Sequence, residues 1–425
     1  MVKTNRKVQY LAGICVSFAF TFTGATISWP SPAIPKFKNG EANIQITDSI
    51  ILTTKLPELM CLARILIGIS NGITAVVTMI YLTEIADKEI RGALGMLVQV
   101  MNNLGSLTMY SIGPFVSYTA MNWIVLSLPV LTLFICLWIP ESPYYCLKEG
   151  RFAAAKKEFK ILKGCKDEKW IEENLSVIRA HVRESMENES TLKELFTNMR
   201  YRQAIYIVAG LKVLQYMTGS LAIQSYLEII FRQGSSISGP YASIVYGFVQ
   251  LGAGIGATFL TGCVGRRILM FISCLGVAVS LTLVGLFFFL QDFIQITPNT
   301  LSSISAMPLI GVLSFNILYA IGVGNIPYIL QAELFPINVK ATASSTATMM
   351  ACVMNFAVIK SYQGIKDVFG HYTVFWSFAS IAYFGMLFIY FFVPETKDKT
   401  LEDIQDDLQE VEAEKLNIKM EELDQ

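Results

Sequence analysis

Polar side chains recur along one face of an otherwise apolar segment near residue 100. Gln99, Asn102, Asn103, Ser106 and Tyr110 are separated by intervals of three and four residues, which places all five on the same side of an α-helix. Their chemistry is that of binding, because amides and hydroxyls form hydrogen bonds with polar groups. We expect this face to line a cavity; hydrogen bonding between packed helices is the alternative.

Two further apolar segments carry polar residues. Lys212 and Gln215 lie three residues apart, and Gln250 precedes a run of alternating glycines. Polar groups inside membrane-type segments are costly and mark functional sites. For Lys212 two interpretations stay open: its ammonium group reaches a carboxylate, or its apolar stem lets the charge snorkel toward the inner membrane interface.

The stretch from Gly322 to Tyr328 has the sequence Gly-Val-Gly-Asn-Ile-Pro-Tyr. Two glycines and a proline weaken helical hydrogen bonding, and such a break is tolerated at membrane depth only where the freed backbone groups are buried in protein or face water. We predict a hinge or a binding break; a simple proline kink is the alternative. Because no metal-ligand spacing, phosphate-binding loop or catalytic pair stands out in the sequence, we predict no enzymatic activity, cofactor or metal.

The chain that must position these groups is too apolar for a water-soluble domain. Of its 425 residues, 53% are hydrophobic and 16% are charged, with a mean hydropathy of +0.50, whereas soluble domains usually carry about 25% charged residues. Its 33 basic residues are balanced by 33 acidic ones, so no net charge attracts nucleic acid. We therefore predict an all-α polytopic protein of the lipid bilayer, and we exclude soluble enzymes and disordered chains.

Apolar runs of about 20 residues, the length at which a helix spans a bilayer, define the membrane segments. They predict ten spans, at residues 10–30, 57–81, 93–117, 122–140, 203–229, 240–261, 268–290, 304–331, 342–362 and 372–393. Lys and Arg concentrate in alternate connections, which stay in the cytoplasm, so both termini are expected there. The expected domains are a four-span first half (1–140), a cytoplasmic helical linker (141–202), a six-span second half (203–393) and an acidic cytoplasmic tail (394–425).

Seven motifs between residues 64 and 397 occur in a characteristic order. They are Arg64–Gly68 (RILIG), Tyr81–Ala86 (YLTEIA), Arg91–Gly95 (RGALG), Pro140–Pro143 (PESP), Gly265–Arg267 (GRR), Ala332–Pro336 (AELFP) and Pro394–Lys397 (PETK). The set resembles the sugar porter family of the major facilitator superfamily, and Val339–Ser345 is most similar to the insect facilitated trehalose transporters within it. The resemblance implies two six-helix halves around a central site, alternating access, a sugar substrate (trehalose or a hexose) and the plasma membrane.

The resemblance also implies which residues contact the sugar. They are Gln99, Gln215, Gln250, Tyr328, which takes the place of a Trp, and Asn355. Amides suit a polyol because each both donates and accepts hydrogen bonds, and an aromatic face packs on the C–H face of a sugar ring. Tyr216 replaces the second Gln of a family pair and Leu221 replaces an expected Asn, which weakens the match at this site.

A cytoplasmic gate is implied by the same resemblance, as a cluster of charges that pair across the two halves when the carrier faces outward. Its members here are Glu84, Arg91, Glu141, Arg266, Arg267, Glu333 and Glu395. Without the resemblance, these residues would be interpreted as ordinary loop charges near helix ends.

The family has two spans between the first span and Arg64 that this sequence lacks. Residues 48–55 lead directly into Leu56-Pro57-Glu58, so the second and third spans are missing as a pair. Because an even number of spans is missing, all later spans keep the orientation that they have in the family. We expect a four-helix first half with an open side beside the first span.

Two functions therefore stay open. The first is a facilitative sugar carrier; residues 18–29 of the first span contain no acid, which favours facilitation over proton symport. The second is a transport-inactive isoform or paralogue that acts as a sensor or as a partner of a full-length carrier. The sequence does not determine the oligomeric state.

Overall fold

The computed structural model describes residues 6–38, 55–87, 90–164, 167–187, 199–234, 237–335 and 337–396. Within these ranges the regular elements are α-helices and one short 3₁₀ helix, without a β-strand, as expected of an all-α protein. They form two compact units. Unit 1 comprises Met1–Asn188, Ser225–Ile229 and Ser243–Leu251, and unit 2 comprises Glu189–Gln224, Ile230–Ala242 and Gly252–Gln425.

The first membrane helices and the linker helices belong to unit 1. They are α1 (Lys7–Ser17), α2 (Ala19–Ser28), α3 (Pro30–Lys38), α4 (Lys55–Ile85), α5 (Arg91–Ile112), α6 (Tyr118–Cys136), α7 (Pro143–Lys148), α8 (Phe152–Lys163) and α9 (Glu168–Glu187). Single residues, Phe18 and Trp29, join α1 to α2 and α2 to α3. The first predicted span is therefore one interrupted helical rod.

Glycines bring α2 and α5 into backbone contact. A Cβ atom on Gly24 would lie 1.8 Å from the carbonyl oxygen of Asn102, and one on Gly105 would lie 2.0 Å from that of Thr21. No side chain larger than hydrogen fits at either position without moving a helix. Small residues serve this purpose in membranes, where close van der Waals packing replaces the hydrophobic driving force between helices.

The linker helices α7 to α9 have a small apolar core of their own. It contains Cys146, Ala155, Phe159, Ile171 and Leu175, all buried, because apolar residues recur at intervals of four along α8 and α9. These helices lie in the segment 141–202, for which the sequence predicts a helical linker. On their outer side Lys156 donates hydrogen bonds to Glu172 (2.7 Å) and Glu168 (3.3 Å), and these bonds raise the pKa of Lys156.

The remaining helices run from the end of the linker to the last predicted span. They are α10 (Met199–Met217), α11 (Ser220–Ser225), α12 (Leu227–Gly234), α13 (Gly239–Cys263), α14 (Arg266–Asp292), α15 (Pro298–Ser303), α16 (Met307–Ile321), α17 (Ile326–Leu334), α18 (Ile337–Phe369) and α19 (His371–Phe392). Gly219 separates α10 from α11 with φ = +78°, and a Cβ there would lie 2.2 Å from the ring of Phe378. Glycine is thus required at this joint by both conformation and space.

The core of unit 2 lies between α14 and α19. Phe288 of α14 stacks on Phe375 at 5.6 Å and on His371 at 4.8 Å between ring centroids. All three side chains are buried. Interlocking aromatic rings of this kind hold the two long helices side by side.

Nine helical stretches in the described part of the chain are long and apolar enough to cross a membrane, and each overlaps one of the ten predicted spans. The remaining predicted span, 93–117, corresponds to the 22-residue helix α5, whose polar face lowers its hydropathy. Residues 39–54, where the missing pair of spans would be inserted, lie outside the described residues, as does the tail beyond residue 396.

The first span is less exposed than two later helices of the first half. Of the most apolar 18 residues of the first span, 44% are buried. The corresponding share is 11% in each of the spans formed by α4 and α6. The apolar side chains of Leu62, Ile65 and Ile69 on α4 are each more than half exposed. The open side beside the first span stays a prediction, because residues 39–54 lie outside the described residues.

Candidate substrate site and charged clusters

The helix break predicted at residues 322–328 is present between α16 and α17. Gly322 leaves the helical conformation (φ −133°, ψ −76°), and Ser273 of α14 bridges the break, because its hydroxyl donates to the carbonyl of Leu318 (2.5 Å) and accepts from the amide of Val323 (3.0 Å). The side chain of Asn325 donates to the carbonyl of Ala320 (2.8 Å). Side chains thus satisfy the freed backbone groups, as a break at membrane depth requires.

A polar group from α10 meets this break. The side-chain amide of Gln215 donates to the carbonyl oxygen of Gly324 (2.7 Å). Its Oε1 accepts from the ammonium group of Lys212 (3.3 Å), and Nζ of Lys212 also lies 3.5 Å from the ring centroid of Tyr328. Lys212 and Gln215 are 1% and 2% exposed, whereas Tyr328 is 50% exposed.

Both open interpretations of Lys212 are therefore wrong. In the part of the chain that the structure describes, its ammonium group contacts an amide oxygen and an aromatic face, and not a carboxylate. A side chain that is 1% exposed does not snorkel to an interface either. The sequence pattern placed Lys212 and Gln215 on one helix, but the ring that covers Lys212 comes from α17, more than 100 residues later.

Three tyrosines complete this arrangement. The hydroxyls of Tyr216 and Tyr328 are 2.6 Å apart, and the hydroxyl of Tyr319 donates to the backbone carbonyl of Gln215 (3.0 Å). We name Lys212, Gln215, Tyr216, Tyr319 and Tyr328 the break cluster. It joins α10 to both sides of the broken helix and presents an exposed phenol ring, a group suited to pack against a sugar.

On the polar face of α5 in unit 1, amide side chains form a chain of hydrogen bonds that reaches α13. The side chain of Gln99 donates to Asn103 (3.2 Å), and the side chain of Asn103 donates to the backbone carbonyl of Gln250 (3.2 Å). The Oε1 atom of Gln250 is buried and has no hydrogen-bond partner among the described residues. Gln99 is exposed.

Further along the same face, the side chains pack between helices. Ser106 donates to the backbone carbonyl of Gly24 (3.2 Å), and the ring of Tyr110 meets that of Tyr246 edge to face at 5.9 Å. Asn103, Ser106 and Tyr110 are at most 2% exposed. For these three residues the expected cavity lining is wrong, and the alternative of hydrogen bonding and packing between helices holds.

The predicted sugar-contacting residues thus form two groups, one in each unit. Gln215 and Tyr328 are brought together through Lys212, and Gln99 and Gln250 are connected through Asn103. Asn355 lies on α18 and is partly exposed. A single site that contains all five residues stays a prediction.

Charges of the predicted gate pair with neighbours inside unit 2. The carboxylate of Glu395 accepts hydrogen bonds from the backbone amides of Arg266 (2.9 Å) and Arg267 (3.1 Å), and so caps the first turn of α14. The guanidinium group of Arg266 lies 3.4 Å from Glu333, and Glu333 also accepts from the hydroxyl of Thr396 (2.5 Å). This network connects the start of α14, the end of α17 and the segment after α19.

In unit 1 the predicted gate residues are more dispersed. Glu84 accepts a hydrogen bond from Ser142, which begins α7 as its N-cap, and Glu141 is exposed. The side chain of Arg91 lies outside the described residues. Pairing of these charges with those of unit 2 stays a prediction.

Asp87 is a polar centre that the sequence analysis missed. It pairs with Lys163 of α8 and with Arg6 (3.7 Å), and it accepts a hydrogen bond from the side chain of Gln9 (3.2 Å). Its position just after the end of α4, three residues after Glu84, was the available signal. Asp87 connects the end of α4 to the start of the first span and to the linker helices.

The charged residues of the described segments include no group of three or more His, Cys, Asp or Glu side chains arranged to hold a metal ion. Apart from the exposed Glu141, the acids named above face backbone amides, hydroxyls or basic side chains. The arrangement as a whole is suited to binding and to connecting helices.

A family model described as "Sugar (and other) transporter" matches residues 44–408. The chain belongs to the sugar transporter family. The facilitated trehalose transporter Tret1 of Polypedilum vanderplanki is 31% identical over 346 residues, which cover 80% of this chain and 67% of the relative. The protein of the same name from Apis mellifera ligustica is 26% identical over 446 residues, which cover 94% of this chain and 88% of the relative. The Tret1 of Drosophila willistoni is matched over only 50% of its length.

Solved structures of the major facilitator type have the same fold. The inward-open xylose transporter XylE from E. coli has a TM-score of 0.67 at 20% identity, and the match covers 94% of this chain and 82% of XylE. The proton:xylose symporter XylE bound to 6-bromo-6-deoxy-D-glucose has a TM-score of 0.63 at 19% identity. The match covers 94% of this chain and 87% of the symporter. The predicted fold class and family are thereby confirmed.

Proposed function

We propose that this chain binds a sugar, trehalose or a hexose, and carries it across the plasma membrane down its concentration gradient by alternating access. The observation that supports this most is the break cluster in a member of the sugar transporter family. There the amide of Gln215 and the exposed ring of Tyr328 meet at a discontinuous helix. Discontinuous helices form the substrate sites of many transporters, because their free backbone groups can interact with polar ligands.

Gln99, Gln250 and Asn355 complete the proposed site. The unpartnered Oε1 of Gln250 is a buried acceptor that a sugar hydroxyl would satisfy, and a buried polar atom without a partner is costly. In the proposed cycle, both termini are cytoplasmic. The charges Glu84, Arg91, Glu141, Arg266, Arg267, Glu333 and Glu395 act there as the gate between the two halves.

Uptake of radiolabelled trehalose and glucose into proteoliposomes that contain the purified chain tests this proposal. We expect saturable uptake that stops at equal concentrations inside and outside and that a protonophore leaves unchanged. Protein-free liposomes are the control. Accumulation that a protonophore abolishes would contradict facilitation, and the absence of both uptake and sugar binding would contradict the proposed function.

A second candidate is a chain that binds sugar but does not transport it alone. The aligned region of the honeybee relative, 446 residues, exceeds the 425 residues of this entire chain, so the relative has positions that this chain lacks. This agrees with the inferred loss of the second and third spans. Without them, a wall of the first half must come from rearranged helices or from another chain.

Restoring the two spans distinguishes the two candidates. The spans of the honeybee relative are inserted within residues 39–54, and uptake is compared with that of the unaltered chain. The second candidate predicts sugar binding by both chains and uptake only by the extended one. Equal uptake by both chains would rule it out.

A further inference from the structure

Lys212 brings a full positive charge into the break cluster. Its side chain is 1% exposed, and Nζ lies 3.3 Å from Oε1 of Gln215 and 3.5 Å from the centroid of the Tyr328 ring. An ammonium group has three hydrogen-bond donors. Among the described residues, one donor is used by the amide oxygen and one side of the ammonium group faces the ring.

No negative charge balances this ammonium group within the described part of the chain. Buried charges are normally paired with an opposite charge, because an amide dipole or a ring quadrupole compensates only part of the lost hydration. In transporters an intramembrane charge of this kind marks a ligand pathway or site. The missing counter-charge therefore suggests an anionic ligand.

We propose that Lys212 binds a carboxylate of the substrate, so that the site of this chain prefers an acidic sugar, such as a uronic acid, over a neutral one. This inference rests on the proposed function, since it specifies the substrate class of the same site. Lys212 carries one charge, so a monoanionic carboxylate balances it. A dianionic phosphate ester would leave an excess negative charge buried in the protein.

The ring of Tyr328 is the group that the carboxylate would replace. Tyr328 is half exposed, and its contacts to the cluster are the hydroxyl bond to Tyr216 (2.6 Å) and the face turned to Lys212. A cation–π contact is a weak interaction for an ammonium group, whereas a charge-assisted N–H···O bond is about twice as strong as a neutral one. Rotation of the Tyr328 ring away from Lys212 would therefore exchange a weaker partner of the ammonium group for a stronger one.

Equilibrium binding to the purified full chain in lipid nanodiscs tests this inference. The probes are D-glucuronate, its uncharged analogue D-glucuronamide, and D-glucose, all at pH 7. We expect the wild-type chain to bind glucuronate at least about 10-fold more tightly than glucuronamide or glucose, the ratio that about 1.4 kcal/mol produces. Equal affinity for glucuronate and glucuronamide would overturn the inference without any substitution in the protein.

A matched pair of variants tests whether Lys212 causes the preference for glucuronate over glucose. Lys212→Gln should reduce the glucuronate-to-glucose affinity ratio from about 10 to about 1. Lys360→Gln removes the charge of an exposed lysine on α18 and should leave the ratio unchanged. A ratio that persists in Lys212→Gln would overturn the assignment.

The outcomes also distinguish this inference from the proposed function. Glucose binding without a preference for glucuronate overturns the acidic-sugar site and leaves sugar binding intact. Glucuronate binding that depends on Lys212, without glucose binding, supports the site and restricts the function to acidic sugars. If none of the three probes binds, the acidic-sugar site is ruled out, and the trehalose uptake assay decides the proposed function.

Discussion

The polar face of α5 and the break cluster both place amides and hydroxyls inside apolar helices, yet they use these groups in different ways. On α5, Asn103 and Ser106 donate to backbone carbonyls of neighbouring helices and are buried. In the break cluster, Gln215 also donates to a carbonyl, but beside it the ring of Tyr328 is half exposed. Among the described residues, the ammonium group of Lys212 there contacts an amide oxygen and an aromatic ring but no carboxylate.

This difference shows that regular spacing of polar residues is not sufficient to identify a ligand site. Unbroken helices such as α2 and α5 can approach closely at Gly24 and Gly105, and polar side chains between them then stabilise the packing. At the broken helix, Ser273 and Asn325 satisfy the freed backbone groups. The half-exposed ring of Tyr328 beside Lys212 is the part of the break cluster that a ligand can reach. We therefore expect substitutions on α5 to change mainly stability and substitutions in the break cluster to change mainly binding.

The largest effect is expected where α2 meets α5. Gly24→Ala places a Cβ atom 1.8 Å from the carbonyl oxygen of Asn102, so the two helices must separate. We expect the free energy of unfolding in detergent to fall by about 3 kcal/mol, the upper part of the range for overpacked cores. Gly72→Ala on α4 is the control, because a Cβ there meets nothing within 4 Å; it should stabilise the chain by about 0.5–1 kcal/mol. Equal effects of the two variants would contradict the close packing.

A smaller effect, on binding, is expected from Gln215→Ala in the break cluster. Removing one hydrogen-bonding partner of a bound sugar costs about 1–3 kcal/mol, so the affinity should fall roughly 5-fold to 150-fold. Sugar binding by the purified chain measures this change. Gln363→Ala is the control, because the amide of Gln363 donates to the exposed Asp367 of the same helix α18 (2.9 Å), outside the break cluster. Unchanged affinity in a folded Gln215→Ala variant would exclude Gln215 from the site.

The smallest effect is expected from Ser106→Ala on α5. This substitution removes the hydrogen bond to the carbonyl of Gly24, and hydrogen bonds between membrane helices contribute about 0.6 kcal/mol on average. Thermal unfolding should show this loss, with sugar affinity unchanged. Thr108→Val is the control, because the hydroxyl of Thr108 donates to Leu104 within the same helix. Its free energy of unfolding should stay within about 0.5 kcal/mol of that of the wild type. A loss of sugar affinity in Ser106→Ala would instead show that the polar face of α5 contacts the bound sugar.

Much of the fold follows from the sequence alone, because the membrane imposes strong rules on it. Apolar runs predicted the spans, and the glycines and proline of residues 322–328 predicted the break between α16 and α17. The motifs identified the family. The span at 93–117, which corresponds to α5, was predicted from its apolar residues although its polar face lowers its hydropathy.

The partners of the polar side chains were not predictable in the same way. Periodicity shows which residues share a face of one helix, but not which distant residue another helix brings to that face. The contact of Lys212 with Tyr328 and that of Ser106 with Gly24 depend on how helices pack. Asp87 was missed for the same reason, since its partners Lys163 and Gln9 belong to other helices.

Hydrogen exchange of the purified chain, measured by mass spectrometry with and without saturating sugar, tests the contrast between the two regions most directly. Trehalose, glucose and glucuronate are each added to the same preparation. We predict that the sugar that binds slows exchange in peptides that contain the break at 319–328 and Gln215–Gly219, with smaller changes in peptides that cover 103–110 of α5. Protection confined to α5, with the break unchanged, would contradict the account.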